Sequence, residues 1–184
     1  MDERELVERC RAGDHRAFEL IVKLHQVGAC ALACQIVQNR DDAQEIVQEA
    51  FFRAWQQIGT FRAHSSLKVW LYRIVLNLAF DLLRQRDRRR GLSYDGHFVQ
   101  PDPPNPSEDF NNEELRQAVS RALAALPPKQ GAMIVLRELE GLSYREIAAA
   151  MGCSIGTVMS TLYTVRRKLR ERLKPYWEEC GVQL

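Results

Sequence analysis

The chain holds no run of about 18 consecutive apolar residues, the length a bilayer-spanning helix needs, so no transmembrane helix is expected. Its first residues, MDERELVERCRAGD, contain no apolar stretch of the kind found in secretory signals. The expected location is therefore the cytoplasm. Cysteine is sparse, at five residues, and an odd number in a reducing compartment points to free thiols, not a disulfide framework. There is no alternating β pattern, no internal repeat and no GxxxxGK[ST] phosphate loop, so no nucleotide site is expected. A nucleic-acid-cleaving centre would need clustered carboxylates in metal-binding geometry. The nearest grouping, Asp41 and Asp42 beside Glu45, has capping-box spacing at a helix start instead. Strong charge of one sign is missing too: the 184 residues carry a net charge of only +2.

What is present is unevenly distributed. Residues 1–90 carry 15 Lys/Arg against 12 Asp/Glu, residues 91–112 none against four, and residues 113–184 carry 11 against eight. Two basic segments thus flank an acidic connector, which points to two units with distinct jobs. The connector has four prolines within six residues (Pro101, Pro103, Pro104, Pro106). That composition excludes a helix or central strand and predicts an extended linker. Both flanks show helical periodicity. Leu6 to Leu24 forms one run, interrupted near Gly13-Asp14, and Gln26 to Val37 a second. A third stripe follows the Asn39 to Asp42 break, through Ile46, Val47, Ala50, Phe51, Ala54, Trp55 and Ile58. Gly59 to Ser66 reads as a polar loop. Ser65 or Ser66 can then cap a long helix to about Arg86, with Leu67, Trp70, Leu71, Ile74, Leu78 and Leu82 as its buried stripe. Beyond the linker, Leu115 to Leu126 and Gln130 to Glu138 are helical, separated by Pro127-Pro128.

The stretch LEGLSYREIAAAMGCSIGTVMSTLYTVRRKLR has the internal logic of a helix-turn-helix. Ser143 caps a first helix from Tyr144 to Met151. Small Ala148 sits where the two helices cross, and Gly152 supplies a left-handed backbone for the turn. Ser154 caps a second helix with Ile155, Val158, Leu162, Val165 and Leu169 facing inward. Its outer face presents Thr157, Ser160, Thr161 and Thr164, then Arg167, Lys168 and Arg170. In such motifs the start of the second helix meets base edges, and later basic residues meet phosphates. An ordinary helical hairpin with a solvated charge run is the plainer alternative, but it does not require Ala148 and Gly152 where they stand.

Thr60 to Arg90 mixes Phe61, Arg62, Trp70, Tyr72, Arg73, Asn77 and Arg84. Aromatics on a basic surface suit unstacked single-stranded bases, and a flipped base needs stacking walls with hydrogen-bonding groups. For Trp70 a core position is the better reading.

At these residues the chain resembles a known family. DDAQEIVQEAFFRAWQQIGTFRAHSSLKVWLYRIVLNLAFDLLR is similar to region 2 of the extracytoplasmic-function (ECF) sigma factors, and LPPKQGAMIVLRELEGLSYREIAAAMGCSIGTVMSTLYTVRRKLRERL to their region 4. The resemblance implies an all-α protein of two small helical domains joined by a Pro-rich linker: residues 1–90, 91–112 and 113–184. It implies a non-catalytic initiation subunit, without cofactor or metal, whose partners are core RNA polymerase, promoter DNA and an anti-sigma factor. By the same resemblance, Asp42, Gln48, Glu49, Phe52 and Trp55 lie on the helix that docks on core polymerase. Phe61 and Asn77 match positions lining a pocket for a base of the −10 element, with Arg62, Lys68, Arg73 and Arg84 on phosphates. Thr157, Ser160, Thr161, Tyr163, Thr164, Arg167 and Lys168 match the −35 contacts.

The chain departs from the family at the recognition helix. Relatives usually carry arginine or lysine at the positions of Met159 and Thr161, and often arginine at Thr164. Each absent phosphate contact lowers affinity and its salt dependence. The departure leaves open a second reading, a sigma-like mimic that titrates an anti-sigma factor without reading a promoter. Cys30 and Cys34, four apart on a helix and near His25, could share a metal, but a closed structural site needs four ligands. Core packing accounts for them more simply.

Overall fold

The computed structural model describes residues 3–62, 66–90 and 110–179. Most of the acidic linker expected over residues 91–112 lies outside these residues, as does Ser65; residues 110–112 form the first turn of a helix.

Helix α1 (Glu3–Arg11) ends at Gly13, whose φ of +84° favours glycine. Asp14 then caps α2 (His15–Val37), accepting from the backbone N–H groups of Arg16 and Ala17. Arg9 braces the Asp14 carboxylate at 2.7 Å. Two apolar runs were expected here, the second from Gln26, but α2 is one unbroken 23-residue helix. The exposed Leu24 and Val27 blur its stripe. By length and mean hydropathy (1.6) α2 could span a membrane. In this fold it is the helix on which α1, α3, α4 and α6 pack.

Helix α3 (Arg40–Gln57) is capped by Asn39, which accepts from the Asp42 N–H at 3.0 Å. The capping box expected at Asp42 and Glu45 is therefore not the one used. The Asp42 carboxylate instead receives the Arg86 guanidinium from α4. A 3₁₀ turn (Ile58–Thr60) opens the segment expected to be loop. Ser66 caps α4 (Leu67–Arg90), accepting from the Val69 N–H at 3.3 Å. The buried side of α4 is broader than the expected stripe. Val69, Tyr72, Val75, Leu76 and Ala79 are buried with Leu67 and Leu71, while Trp70, Ile74, Leu78 and Leu82 are half-buried flanks. The reason is that α4 packs on α2 and α3 and also on α7.

Helix α5 (Phe110–Ala124) is followed by α6 (Pro128–Ile134), whose first residue is the proline expected to mark a break. Its fixed φ and missing N–H suit that position. The chain continues as a π-helical turn (Val135–Leu139). Helix α7 (Tyr144–Met151) has a full capping box: Ser143 Oγ accepts from the Glu146 N–H at 3.3 Å, and the Glu146 carboxylate accepts from the Ser143 N–H at 2.8 Å. Gly152, at φ +63°, turns the chain into α8 (Ile155–Glu179). The two helices meet at 105°, within the range of a helix-turn-helix. Val158, Leu162 and Val165 are fully buried between them, whereas Ile155, expected inside, is 42% exposed and Leu169 is half-buried.

One hydrophobic cluster runs through α2, α3, α4, α6, α7 and α8, so the N-terminal and C-terminal helices share a core. A smaller cluster ties α1 to the start of α4 through Leu6, Val7, Cys10, Ile58, Phe61 and Leu67.

Candidate nucleic-acid interface

Three outward faces carry the residues singled out in the sequence. The first is on α4. Arg73, Asn77 and Arg84 are exposed and fall within about 40° of one another around the helix, at 100° per residue. Arg84 is paired with Asp81, and Arg62 is exposed just before α4. Together these groups offer an amide and cations on one stripe.

Two residues expected with them stand elsewhere. Phe61 is only 6% exposed, its ring 5.2 Å from that of Trp70 and its carbonyl accepting from Arg11. It anchors α1 and offers no free face to a base in this conformation. Lys68 points away from the stripe. Its ammonium lies 2.9 Å from the Glu140 carboxylate and donates to the Glu140 carbonyl at 2.6 Å. Sequence spacing could not reveal either outcome, because α1 and Glu140 are distant along the chain.

The second face is the outer side of α8. Ser154 Oγ accepts from the Thr157 N–H at 3.0 Å and caps the helix. Ser160 and Thr164 donate their hydroxyls to the carbonyls of Thr157 and Ser160, at 3.1 and 3.0 Å. Those oxygens keep their lone pairs as acceptors. Met159 is 54% and Tyr163 69% exposed; Thr161 is half-buried. Through Val165 this face has hydroxyls and apolar tips but no cation. The basic end is partly engaged with the protein itself: Arg166 holds Glu138 at 2.7 Å, Lys168 reaches Gln130, and Arg172 donates to the Ala122 carbonyl. Arg167 remains 62% exposed, with Glu171 at 3.9 Å.

The third face lies on α3. Phe52 is 57% exposed beside exposed Gln48, and Glu49 pairs with Arg53 at 2.6 Å. Trp55 is half-buried, packed on the rings of His15 (4.5 Å) and Phe18 (5.1 Å). Between α3 and α4 runs a groove of about 410 Å³. Asp42, Glu45, Glu49, Asp81 and Arg88 rim it over an apolar floor of Ile46, Leu78 and Leu82. Glu45, Asp81, Leu78 and Leu82 were not among the expected site residues. The signal was present as carboxylates four apart on α3, but only the packing of α4 shows what they surround.

Glu140 is the most elaborated titratable group. Burial raises its pKa, but hydrogen bonds from Tyr72 and Lys68 and the Lys68 charge outweigh this and lower it overall. The Tyr72 hydroxyl is pushed up, by burial first and then by Glu140. His25, edge-on to Tyr72, is pushed below its ordinary 6.5 by burial and then by Lys68, against the opposing pull of Glu3 and Glu140. Both shifts have the same sign in linkage. A depressed histidine or carboxylate contributes stability that is present above its unfolded pKa and lost as pH falls through the folded one. The Tm should therefore decline as pH drops below about 6.5, and again below about 4.5 as Glu140 protonates. The variant His25→Gln should remove the upper decline while keeping the lower. Scanning calorimetry from pH 8 to 4 on both proteins checks it.

Cys34 is pushed up to about 11 by burial and then by its neighbour Cys30, so it is a thiol at neutral pH. Among the described residues, no three His, Cys, Asp or Glu side chains gather as metal ligands.

A helix-turn-helix joined to a second helix bearing exposed arginines and an amide defines a helical DNA-binding protein. The family model of Sigma-70 region 2 matches residues 21–89, and that of Sigma-70 region 4 matches residues 116–169. The chain is 34% identical to the RNA polymerase sigma-H factor of Pseudomonas aeruginosa, covering 97% of each. It is 37% identical to the ECF RNA polymerase sigma-E factor of Escherichia coli, over 92% of this chain and 93% of that one. Among solved structures, the sigma factor RpoE in complex with the anti-sigma factor NepR from Bartonella quintana matches with a TM-score of 0.69 and 30% identity, over 85% of this chain and 96% of that one. CnrH in complex with the cytosolic domain of CnrY matches with the same TM-score and 27% identity, over 94% and 97%. The chain belongs to the ECF sigma factors, which bind core RNA polymerase and direct it to promoters.

Proposed function

We propose that this sigma factor divides its work among the three faces, with residues 1–90 and 113–184 as its two functional regions and 91–112 as the tether. The α3 face, with Asp42, Gln48, Glu49, Phe52 and Trp55 beside the acidic groove, docks on core polymerase. An exposed aromatic amid polar groups is a suitable anchor for such a contact. The α4 stripe binds the −10 element, with Asn77 hydrogen-bonding an unpaired base and Arg62, Arg73 and Arg84 on phosphates. Phe61 joins that site only on leaving Trp70, and Lys68 only on leaving Glu140. The α8 face, from Thr157 through Tyr163 and Thr164 to Arg167 and Lys168, reads the −35 element. The protein is not an enzyme and acts in the cytoplasm under an anti-sigma factor, as relatives found in complex with NepR or CnrY support.

The observation that carries this reading is the exposed Arg73, Asn77, Arg84 stripe beside a properly capped helix-turn-helix. A decoy needs neither. In vitro transcription with core polymerase on a promoter library should give run-off products. Asn77→Ala should then lower −10 discrimination by about 1–3 kcal/mol, roughly 5- to 150-fold at one base. Unchanged base preference would refute the Asn77 assignment. No product from any template would favour the mimic, a reading motivated by the uncharged face from Thr157 to Thr164.

A further inference from the structure

The contact between the two halves is built from paired features, not from apolar burial alone. Gly28 on α2 leaves the space that Glu140 occupies: a Cβ there would lie 2.1 Å from Glu140 Oε1 and 2.3 Å from the Tyr72 hydroxyl. Gly131 on α6 does the same for Gln35 of α2, where a Cβ would lie 2.3 Å from Nε2. That amide donates to the Leu123 carbonyl at 2.9 Å, across the same seam. Mid-helix glycine costs helix stability, and at both positions the missing side chain is what permits close approach. The Glu140 carboxylate is 14% exposed and takes both the Tyr72 hydroxyl and the Lys68 ammonium. Tyr72 and Lys68 come from α4, the helix that carries Arg73 and Asn77.

We infer that Glu140 is a latch that holds the C-terminal helices against α4 and occupies Lys68 in place of a DNA phosphate. The inference rests on the proposed role of α4 in binding the −10 strand. The chemistry of the substitution is direct. A carboxylate and a phosphate present the same paired anionic oxygens to an ammonium, so one Lys68 serves one of them at a time. Closing the seam ties up a cation at the start of α4; Lys68 roots on the side of the helix away from Asn77, so the phosphate it would take lies beside the stripe and not on it. Engaging DNA frees Glu140 and leaves its partly buried carboxylate without its ion pair, which loosens the seam. Region 4 is thereby held on region 2 until nucleic acid or another partner takes Lys68.

The test uses the full chain in three variants, Glu140→Ala, Tyr72→Phe and Lys68→Gln, with two readouts. Small-angle scattering reports closure without any DNA. Fluorescence anisotropy with a random single-stranded DNA pool, across a salt series, reports phosphate contacts. Glu140→Ala should increase the radius of gyration, tighten binding at low salt, and steepen the salt slope by about 0.7, the value of one added phosphate contact on a single strand. Tyr72→Phe removes only a hydroxyl and so preserves the core. It should shift both readouts in the same direction, less far. Lys68→Gln should open the seam without steepening the slope. An unchanged radius in Glu140→Ala overturns the latch. An opened seam with an unchanged slope overturns the competition for Lys68. Absence of DNA binding by every variant, with the opening still seen, refutes the α4 binding reading and the competition with it, while the closure stands.

Discussion

Leu32→Ala should lower the stability of the entire chain by about 2–5 kcal/mol and its Tm by roughly 4–20 °C. Leu32 is fully buried in α2, in the cluster that also contains Leu136, Ile147, Val158 and Leu162 from the C-terminal helices. Its truncation leaves a cavity in the cluster that both halves share, and a close-packed interior relaxes only partly to fill it. The informative part is the shape of the transition. Because the core is continuous, fluorescence and far-ultraviolet circular dichroism should report one coincident transition in wild type and variant. Two separated transitions, with only the first shifted by Leu32→Ala, would show that the halves unfold as independent units.

Leu162→Ala should have a comparable cost, about 2–5 kcal/mol, with a different functional consequence. Leu162, with Val158 and Val165, is fully buried on the inner side of α8, opposite Ser160, Tyr163 and Thr164. The angle between α7 and α8 is held by this buried contact and by Gly152 at the turn. Loosening it misplaces the recognition face while leaving the α4 stripe intact. Binding to duplex −35 DNA should fall sharply, and binding to single-stranded −10 DNA should change little. Electrophoretic mobility shifts with the two probes, below the variant's Tm, measure this. An equal loss on both probes would mean that α8 is not a separable reader.

The helix-turn-helix was the most legible part of the molecule, and for a local reason. Its determinants lie within a few residues of one another: the Ser143 cap, the positive φ at Gly152 and the Ser154 cap all stand where their spacing places them, and the small Ala148 is buried. The Glu146 arm of the capping box stands at the usual spacing of three from Ser143 and was passed over. Where a stripe borders a neighbour that sequence does not reveal, burial departs from spacing. The spacing of Ile155 places it inward, yet it stands in the first turn of α8 and is exposed. In α4 the spacing predicts a stripe of Leu67, Trp70, Leu71, Ile74, Leu78 and Leu82, of which Leu67 and Leu71 are buried. The helix is packed from two sides, so burial shifted to Tyr72, Val75, Leu76 and Ala79.

The candidate sites divide in the same way. Arg73, Asn77 and Arg84 were named from the sequence and stand exposed on one stripe, as helical periodicity requires. Phe61 and Lys68 were named for the same site and are committed elsewhere, to Trp70 and to Glu140. Asp42, whose spacing from Glu45 predicts a cap, is held by Arg86. For Lys68 and Asp42 the deciding partner is 72 and 44 residues away; Phe61 meets Trp70 nine residues on, and Arg11 from 50 residues back.

The sequence by itself determined the helical class, the caps and turn of the recognition unit, the family, and the change of charge on the α8 face at Met159, Thr161 and Thr164. These follow from interactions within one or two helical turns, where spacing along the chain is nearly spacing in space. Tertiary structure alone decided that α2 is a single central helix, that the two halves share a core, and that Glu140 meets Lys68, Tyr72 and the gap at Gly28. Those contacts join α2 and α4 to a carboxylate at the end of a π-helical turn, across 68 to 112 residues of chain. No periodicity encodes such a meeting, because which helix faces meet depends on the packing of every element between them.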